Sequence, residues 1–503
     1  VIRAVQRVGR AGHRMGEVSR GRFVVLDRDD AIEVSVLVRE ALSGRLDRIR
    51  IPRKPLDVLA QHLLGMALER RWRAEEAFDL VRRAYPYADL TWEEFDSVLR
   101  YLSGSYGGLE RHRVYGKVWY DGGEFGRRGK YARVIYSLNI GTIPDEVSVR
   151  VYSVEGGGRR YVGNIEEEFL ERLSPGDRFV LSGRVYEFLG AEGVRAFVRP
   201  AFDQRPTIPS WFSEMLPLSF ELAVRVADER ARMLSQVMSG AGEEEFVRAF
   251  MERYRADENT ARMAYGYLRE MAAFLRAAGV SEPPSSRSIL VETCLGPDGR
   301  VWRVFHTLVG RRTNDALSRA LAWVEMRGLE TSVGVAVTDN GFALVYPAGA
   351  EPGAGLSSLD PEGLRGVLEE ALSSTELLVR RFRHVANRGL MILRNYRGRD
   401  VSLRRQLTSA RTLLDVVKRL DGFPLLRETY REILEDYMDV EHAVEVLRWL
   451  RSGRAREVLA PEMPVPSPFA QGIVLSGMSD VVLMEDRRAL LEAMRRRLER
   501  LGA

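Results

Sequence analysis

A single cysteine, Cys294, in 503 residues rules out an internal disulfide, and no CxxC or clustered Cys/His spacing offers a zinc site. Apolar runs stop short of the roughly eighteen residues that span a bilayer, and the first residues lack the charged-then-apolar order of a signal peptide. A cytosolic protein is the expectation. Lysine occurs only at Lys54, Lys117, Lys130 and Lys418, so nearly all positive charge is arginine. That suits phosphate binding, because the guanidinium is a planar fork that grips two oxygens at once; a GC-rich genome gives the same bias. Also missing are a G-x-x-x-x-G-K-[ST] phosphate loop, a DEAH-like magnesium motif, internal repeats and low-complexity tracts.

Positive charge is concentrated. Between Arg111 and Arg133 seven basic residues face only Asp121 and Glu124, a net of +5. Between Arg380 and Arg411 ten arginines face Asp400 alone, a net of +9, which leaves the rest of the chain at −9 against a total of +5. Such segregation suits a nucleic-acid track on an acidic body, or two solvated faces.

The most telling stretch is Gln6-Arg7-Val8-Gly9-Arg10-Ala11-Gly12-His13-Arg14. Its Q-R-x-G-R-x-G-H spacing resembles motif VI of superfamily 2 helicases, which delivers arginines to the γ-phosphate of ATP between two RecA-like domains. Permanently charged guanidiniums stabilise the charge that builds as a phosphoryl group leaves. The resemblance makes Arg10 the finger, with Arg7 and Gln6 in support. Gly9, Gly12, His13 and Arg14 complete the ATP-facing set, His13 standing where many relatives place a second arginine.

Further blocks are similar to the large helicase-related (Lhr-like) family: Gly21–Asp30, Arg50-Ile51-Pro52, Pro55–His62, Asn139–Pro144, Arg205–Trp211, Thr429–Asp436, Pro466–Ala470 and Ser479–Asp486. They run colinearly through the chain, and Gln471 departs from the pattern where histidine is expected. The resemblance implies an ATP-dependent helicase moving 3′ to 5′ on single-stranded DNA and unwinding DNA duplexes or RNA–DNA hybrids in repair or recombination. On this reading the ATP-binding half lies upstream of Val1, and ATP and Mg²⁺ bind the complete enzyme, not this fragment alone.

The expected architecture is α+β and multidomain. Residues 1–45 read as a remnant of a RecA-like α/β domain, with Phe23–Leu26 as a buried strand, a short helix over 32–42, and too little chain to close a core, so this piece should be exposed. Residues 46–136 read as a winged helix: three amphipathic helices, the third opened by a Thr91-x-x-Glu94 capping box, then a basic hairpin pairing Val114–Trp119 with Tyr131–Tyr136. Residues 137–348 read as a mixed β-module with inserted helices, including a helix over Ile165–Leu173, two long helices to about Leu275, and strands at Phe179–Phe188, Ser288–Cys294, Trp302–Leu308 and Ser332–Thr338. A helix opening near Arg312–Asp315 either holds a phosphate on its amides or is capped by Thr313 or Asn314. Residues 349–503 read as mostly helical.

Candidate strand contacts follow. Trp119 lies among Lys117, Arg127, Arg128 and Lys130, where an aromatic in a positive groove can stack a base. The alternative is a core tryptophan. The family places a tryptophan of this region on the tracking strand, and Ile51 at the link is either a wedge at the duplex fork or a packing residue. Arg381 and Arg388 represent the arginine-dense helix. His306 and His384 read as structural rather than metal ligands. Two rivals remain: a stand-alone nucleic-acid-binding protein without enzyme activity, and a base-excision or nuclease enzyme, which would need paired carboxylates; Glu166-Glu167-Glu168 reads as a solvated helix face.

Overall fold

The computed structural model describes residues 1–12, 18–25, 27–143, 148–155, 158–170, 176, 178–181, 184–192, 195–201, 217–296, 299–329, 333–396, 398–477 and 491–497. The chain forms two compact units, each from separated segments: residues 1–49, 212–368 and 438–503 make the first, and residues 50–211 and 369–437 the second. This corrects the chain-order boundaries read from sequence. No helix among the described residues is long and apolar enough to cross a membrane.

In the first unit, helix Arg28–Leu42 begins after Asp27 with Asp29 and Asp30 in its first turn, acidic charge that suits a helix N-terminus. It packs on helices Phe220–Met238, Glu243–Tyr254 and Glu258–Ala277, which replace the two long helices expected here. Ser219 and Asp257 cap two of them through the amides of Leu222 and Thr260. Ala31 is fully buried, and Ile32 and Val36 are fully buried in a core shared with Val226, Phe250, Leu268 and Met271. Burying an aliphatic side chain is worth about 1.5–3 kcal/mol. The expectation that residues 1–45 would be exposed is therefore wrong: a different set of helices supplies the core. Glu229 is the polar counterpart, accepting hydrogen bonds from Arg39, Arg232, Arg253 and Tyr254.

The expected strand at Phe23–Leu26 does not form; residues 21–25 are irregular, with Phe23 and Val24 exposed, and Leu26 lies outside the described residues. A parallel strand needs neighbours, and no described strand pairs with this run.

The same unit carries a five-stranded sheet in the order Gly334–Val337, Phe342–Tyr346, Val301–His306, Ser288–Leu295, Arg456–Leu459. Only the last pair is parallel. All six residues of central strand Val301–His306 are buried, as expected for a strand covered on both faces. Helix Pro468–Ser476 packs Ile473 and Val474 against Trp302, Val304 and Val345. Phe342–Tyr346 and Arg456–Leu459 escaped the sequence reading, the first as a short apolar run and the second as a segment distant from its partner.

The second unit contains the winged helix. Helices Leu56–Glu69, Ala74–Arg82 and Trp92–Ser103 match the reading, and Thr91 and Glu94 close the expected capping box. The hairpin is shifted. Val118–Asp121 pairs with Glu124–Arg127 across Gly122-Gly123, both at positive φ, and Glu124–Phe125 pairs in turn with Trp72–Arg73. Two such glycines give the two-residue turn that matches strand twist. The run Tyr131–Tyr136, read as the second strand, instead enters helix Ala132–Asn139.

Helices Glu376–Arg388, Leu403–Val417 and Pro424–Arg431, the last continued by a π-helical segment Glu432–Tyr437, belong to this unit too. They join the winged helix through polar contacts: Tyr101 Oη donates to Gly389 O at 2.6 Å, and Gln61 Nε2 donates to Arg388 O. A second five-stranded sheet runs Gly158–Glu166, Ser148–Glu155, Arg195–Pro200, Arg184–Glu192, Arg178–Leu181. The helix expected over Ile165–Leu173 is described only at Glu167–Leu170.

Candidate functional site

The first residues of the motif, Gln6 and Arg7, lie on helix Ile2–Val8, whose first amide donates to Asp47 Oδ2 at 3.0 Å. Asp47 also accepts from Ser219 Oγ at 2.7 Å, fixing the helix start to its own unit. A 3.6-residue period puts positions i, i+3, i+4 and i+7 on one face. Arg3, Gln6 and Arg7 occupy such positions on the helix, Arg10 follows in the turn after it, and all four are exposed and line an open cleft of about 330 Å³. Among the described residues no acidic side chain lines it. Three guanidiniums and an amide can bind phosphate oxygens from several sides at once. Arg3 was missed in the sequence, although its spacing from Arg7 is helical. Gly9 and Gly12 follow the helix; His13 and Arg14 lie outside the described residues.

The wing supplies the second group. Trp119 is half-buried, paired across the strands with Gly126, and its indole lies so close that a Cβ on Gly126 would come within 3.0 Å. The Arg71 guanidinium stands 5.1 Å from the ring centre. Trp119 is thus a partly exposed aromatic held in place by the hairpin, not a core tryptophan. Arg127 and Lys130 are exposed, as is Arg128, whose Nη1 donates to Ser103 O at 3.2 Å. Lys117 is a correction. It is buried, donates to Tyr115 O at 3.1 Å, and desolvation pulls its ammonium down to about 8. Ile51 is 49% exposed, so it is not taken up by packing into the first helix.

The arginine-dense helix is mostly engaged inside its own unit. Arg388 Nε reaches Asp57 Oδ2 at 2.5 Å while its Nη2 pairs with Glu432, and the three side chains are 13%, 1% and 12% exposed. That overturns Arg388 as a strand contact: in sequence it is one arginine of a basic run, and its two carboxylates are distant along the chain. Arg381 pairs with Glu432 at 3.4 Å and lies over Tyr437, keeping about a third of its surface. His384, in the same helix, is held neutral, down at about 3, by burial and then by Arg383, Arg381, Arg388 and Arg380. His306 is a core residue, its Nε2 2.8 Å from Glu292 Oε1, which also accepts from Ser467 Oγ.

The helix at Arg311–Leu329 is not a phosphate cradle. Asp339 Oδ1 already accepts from the Arg311 amide at 3.0 Å, and Asn314 Oδ1 accepts from Thr307 instead of capping. A protein carboxylate therefore occupies the place where a phosphate would sit.

Comparison with known proteins gives these sites a context. Residues 39–208 match the family model described as large helicase-related protein, winged helix domain, and residues 283–470 match the DEAD/H associated model. An ATP-dependent helicase Lhr-Core protein 2 of Thermococcus barophilus is 50% identical over 99% of this chain, and an ATP-dependent helicase Lhr-Core of Methanothermobacter thermautotrophicus is 46% identical over 98%. The chain spans 56% of the length of each. Among solved structures, Mycobacterium smegmatis helicase Lhr bound to ssDNA and AMP-PNP matches with a TM-score of 0.70 at 26% identity, over 94% of this chain and 54% of that one. Winged helix, helicase-associated region and end-to-end similarity agree, and the chain belongs to the Lhr-like, large helicase-related family of helicases.

Proposed function

We propose that this chain is the strand-gripping and phosphate-sensing part of an ATP-dependent nucleic-acid helicase. The exposed face of Arg3, Gln6, Arg7 and Arg10 carries the reading. Surface arginines whose cleft is lined, among the described residues, by no carboxylate suit an anionic ligand that arrives from elsewhere. ATP and Mg²⁺, held mainly by residues other than these 503, would supply the energy of phosphoryl transfer. Arg10 would reach the γ-phosphate, Arg7 and Gln6 would orient it, and Gly9 and Gly12 would let the backbone approach. The mycobacterial relative, bound to ssDNA and AMP-PNP, supports single-stranded DNA and a nucleotide as the ligands.

Trp119 would stack a base while Arg127, Arg128 and Lys130 take phosphates, and Ile51 would stand at the duplex fork as a wedge. Movement 3′ to 5′, unwinding of DNA duplexes or RNA–DNA hybrids, a role in repair or recombination, and a cytosolic location complete the proposal. Strand displacement by the complete enzyme tests it, using DNA and RNA–DNA duplexes with either a 3′ or a 5′ single-stranded tail. Nucleic-acid-stimulated ATPase with displacement only from 3′ tails is expected. Displacement only from 5′ tails overturns the polarity, and binding without ATP hydrolysis supports a non-enzymatic binding protein instead.

A further inference from the structure

The sheet built from residues 148–200 has one face packed over a core of Val149, Val151, Ile165, Phe179, Phe188, Ala196 and Val198. Leu181 on one edge strand meets Gly163 on the other, so the sheet curls and its opposite face is convex. Alternation then sends Arg150 and Tyr152, Arg159 and Tyr161, and Arg195 and Phe197 to that outer face from three adjacent strands. The pairing aligns them in rows. Tyr161, Tyr152 and Phe197 lie side by side, with ring centres 6.0 and 6.4 Å apart. Arg150 and Arg195 face each other one row away, and the Arg159 guanidinium lies 4.6 Å from the Phe197 ring.

An outward face of a sheet is ordinarily polar and mixed in charge. Here Tyr161 is 52% exposed, and Arg150, Arg159 and Arg195 are exposed as well, with Glu192 standing opposite Arg195 on the neighbouring strand. Arg199 is bound to Glu187 at 2.7 Å. Rings in a row across strands can stack successive bases, and arginines beside them can take the connecting phosphates. We propose that this outer face is a second binding platform for single-stranded DNA, centred on Tyr161, Tyr152 and Phe197 and flanked by Arg150, Arg159 and Arg195. It deepens the helicase reading and rests on it, since the strand held by the wing would be held here as well.

The test uses the full chain, a fluorescent oligo(dT), an oligo(U) RNA, and oligonucleotides carrying photoreactive 5-iododeoxyuridine. Tyr161→Ala should weaken DNA binding about 5- to 150-fold, while Tyr161→Phe retains it, because a stacked ring needs no hydroxyl. Joint replacement of Arg150, Arg159 and Arg195 by alanine should reduce the log–log salt slope by about 2. Cross-links should map to Tyr161 or Tyr152. Unchanged affinity and slope in these variants, with cross-links confined to the wing and a Trp119→Ala variant that binds weakly, overturns the platform and leaves the helicase reading intact. Failure of the wild-type chain to bind either oligonucleotide overturns both. A Tyr161→Ala variant that melts earlier but binds DNA normally makes the ring row a structural cross-strand contact. Binding to the RNA alone overturns the assignment to DNA.

Discussion

Arg388→Ala separates a structural arginine from a strand contact. Removing Arg388 leaves Asp57 and Glu432 buried with their shared cation gone, because both carboxylates are largely shielded from water. Breaking a buried ion pair from one side costs about 3–5 kcal/mol. For a unit of this size each kcal/mol moves the melting temperature by about 2–4 °C, so the transition should fall by roughly 6–20 °C. Burial already pushes the Asp57 carboxyl up, and Arg388 is the main opposing influence. Without Arg388 the Asp57 carboxyl rises further, and a folded-state pKa above the unfolded one favours folding at low pH. The deficit relative to wild type should therefore shrink as pH falls and Asp57 takes up a proton. Adding Asp57→Asn should recover part of the loss, since the stranded charge is removed. Thermal denaturation by circular dichroism between pH 5 and 8 measures all of this. An unchanged transition, accompanied by a salt slope for single-stranded DNA lower by about 0.7, would refute the argument and make Arg388 a phosphate contact.

In the complete enzyme Arg10→Ala should lower nucleic-acid-stimulated ATPase by about 10³–10⁵-fold with DNA affinity unchanged, and near-wild-type turnover removes Arg10 from the nucleotide site. Trp119→Ala should weaken single-stranded DNA binding by about 1–3 kcal/mol without changing the salt slope, whereas alanine at Arg127 and Lys130 should flatten the slope; fluorescence anisotropy across salt concentrations separates these outcomes. Glu33, beside Arg230 and Asn340, is pushed up to about 7, first by burial. Its stabilising contribution is fully present below about pH 4.5 and lost as pH rises through about 7, amounting to roughly 3 kcal/mol. Glu33→Gln should abolish that loss, and a wild-type urea midpoint flat between pH 5 and 8 contradicts the argument.

The local features of the fold were legible in the residues. Leu59, Leu63 and Leu64 at helical spacing, and Thr91 with Glu94, announced the winged-helix helices because period and cap are properties of neighbouring residues. Gln6, Arg7 and Arg10, close together in sequence, also line one cleft in the structure. What depended on distant partners was hidden. Arg388 looked like part of a basic track because Asp57 lies 331 positions away, and Lys117 looked exposed because its covering layer is not adjacent in sequence. The aromatic row Tyr161, Tyr152 and Phe197 is assembled only by the pairing of three strands. The wing strand misplaced at Tyr131–Tyr136 is a helix because Asp121-Gly122-Gly123-Glu124 turns immediately, leaving no long loop to span.

The interleaving of the two units constrains how the protein is made. Asp57 emerges from the ribosome long before Arg388 and Glu432, and residues 1–49 must wait for helix Pro468–Ser476 and strand Arg456–Leu459 before their unit is whole. At about 5–20 residues added per second, early segments stay incomplete for tens of seconds. Loop-closure entropy over such separations makes assembly slow. Deletions that stop anywhere between 369 and 437 would leave both units unfinished, so the two units cannot be separated by cutting the chain once. Circularly permuted or co-expressed segments offer the practical route to either unit alone.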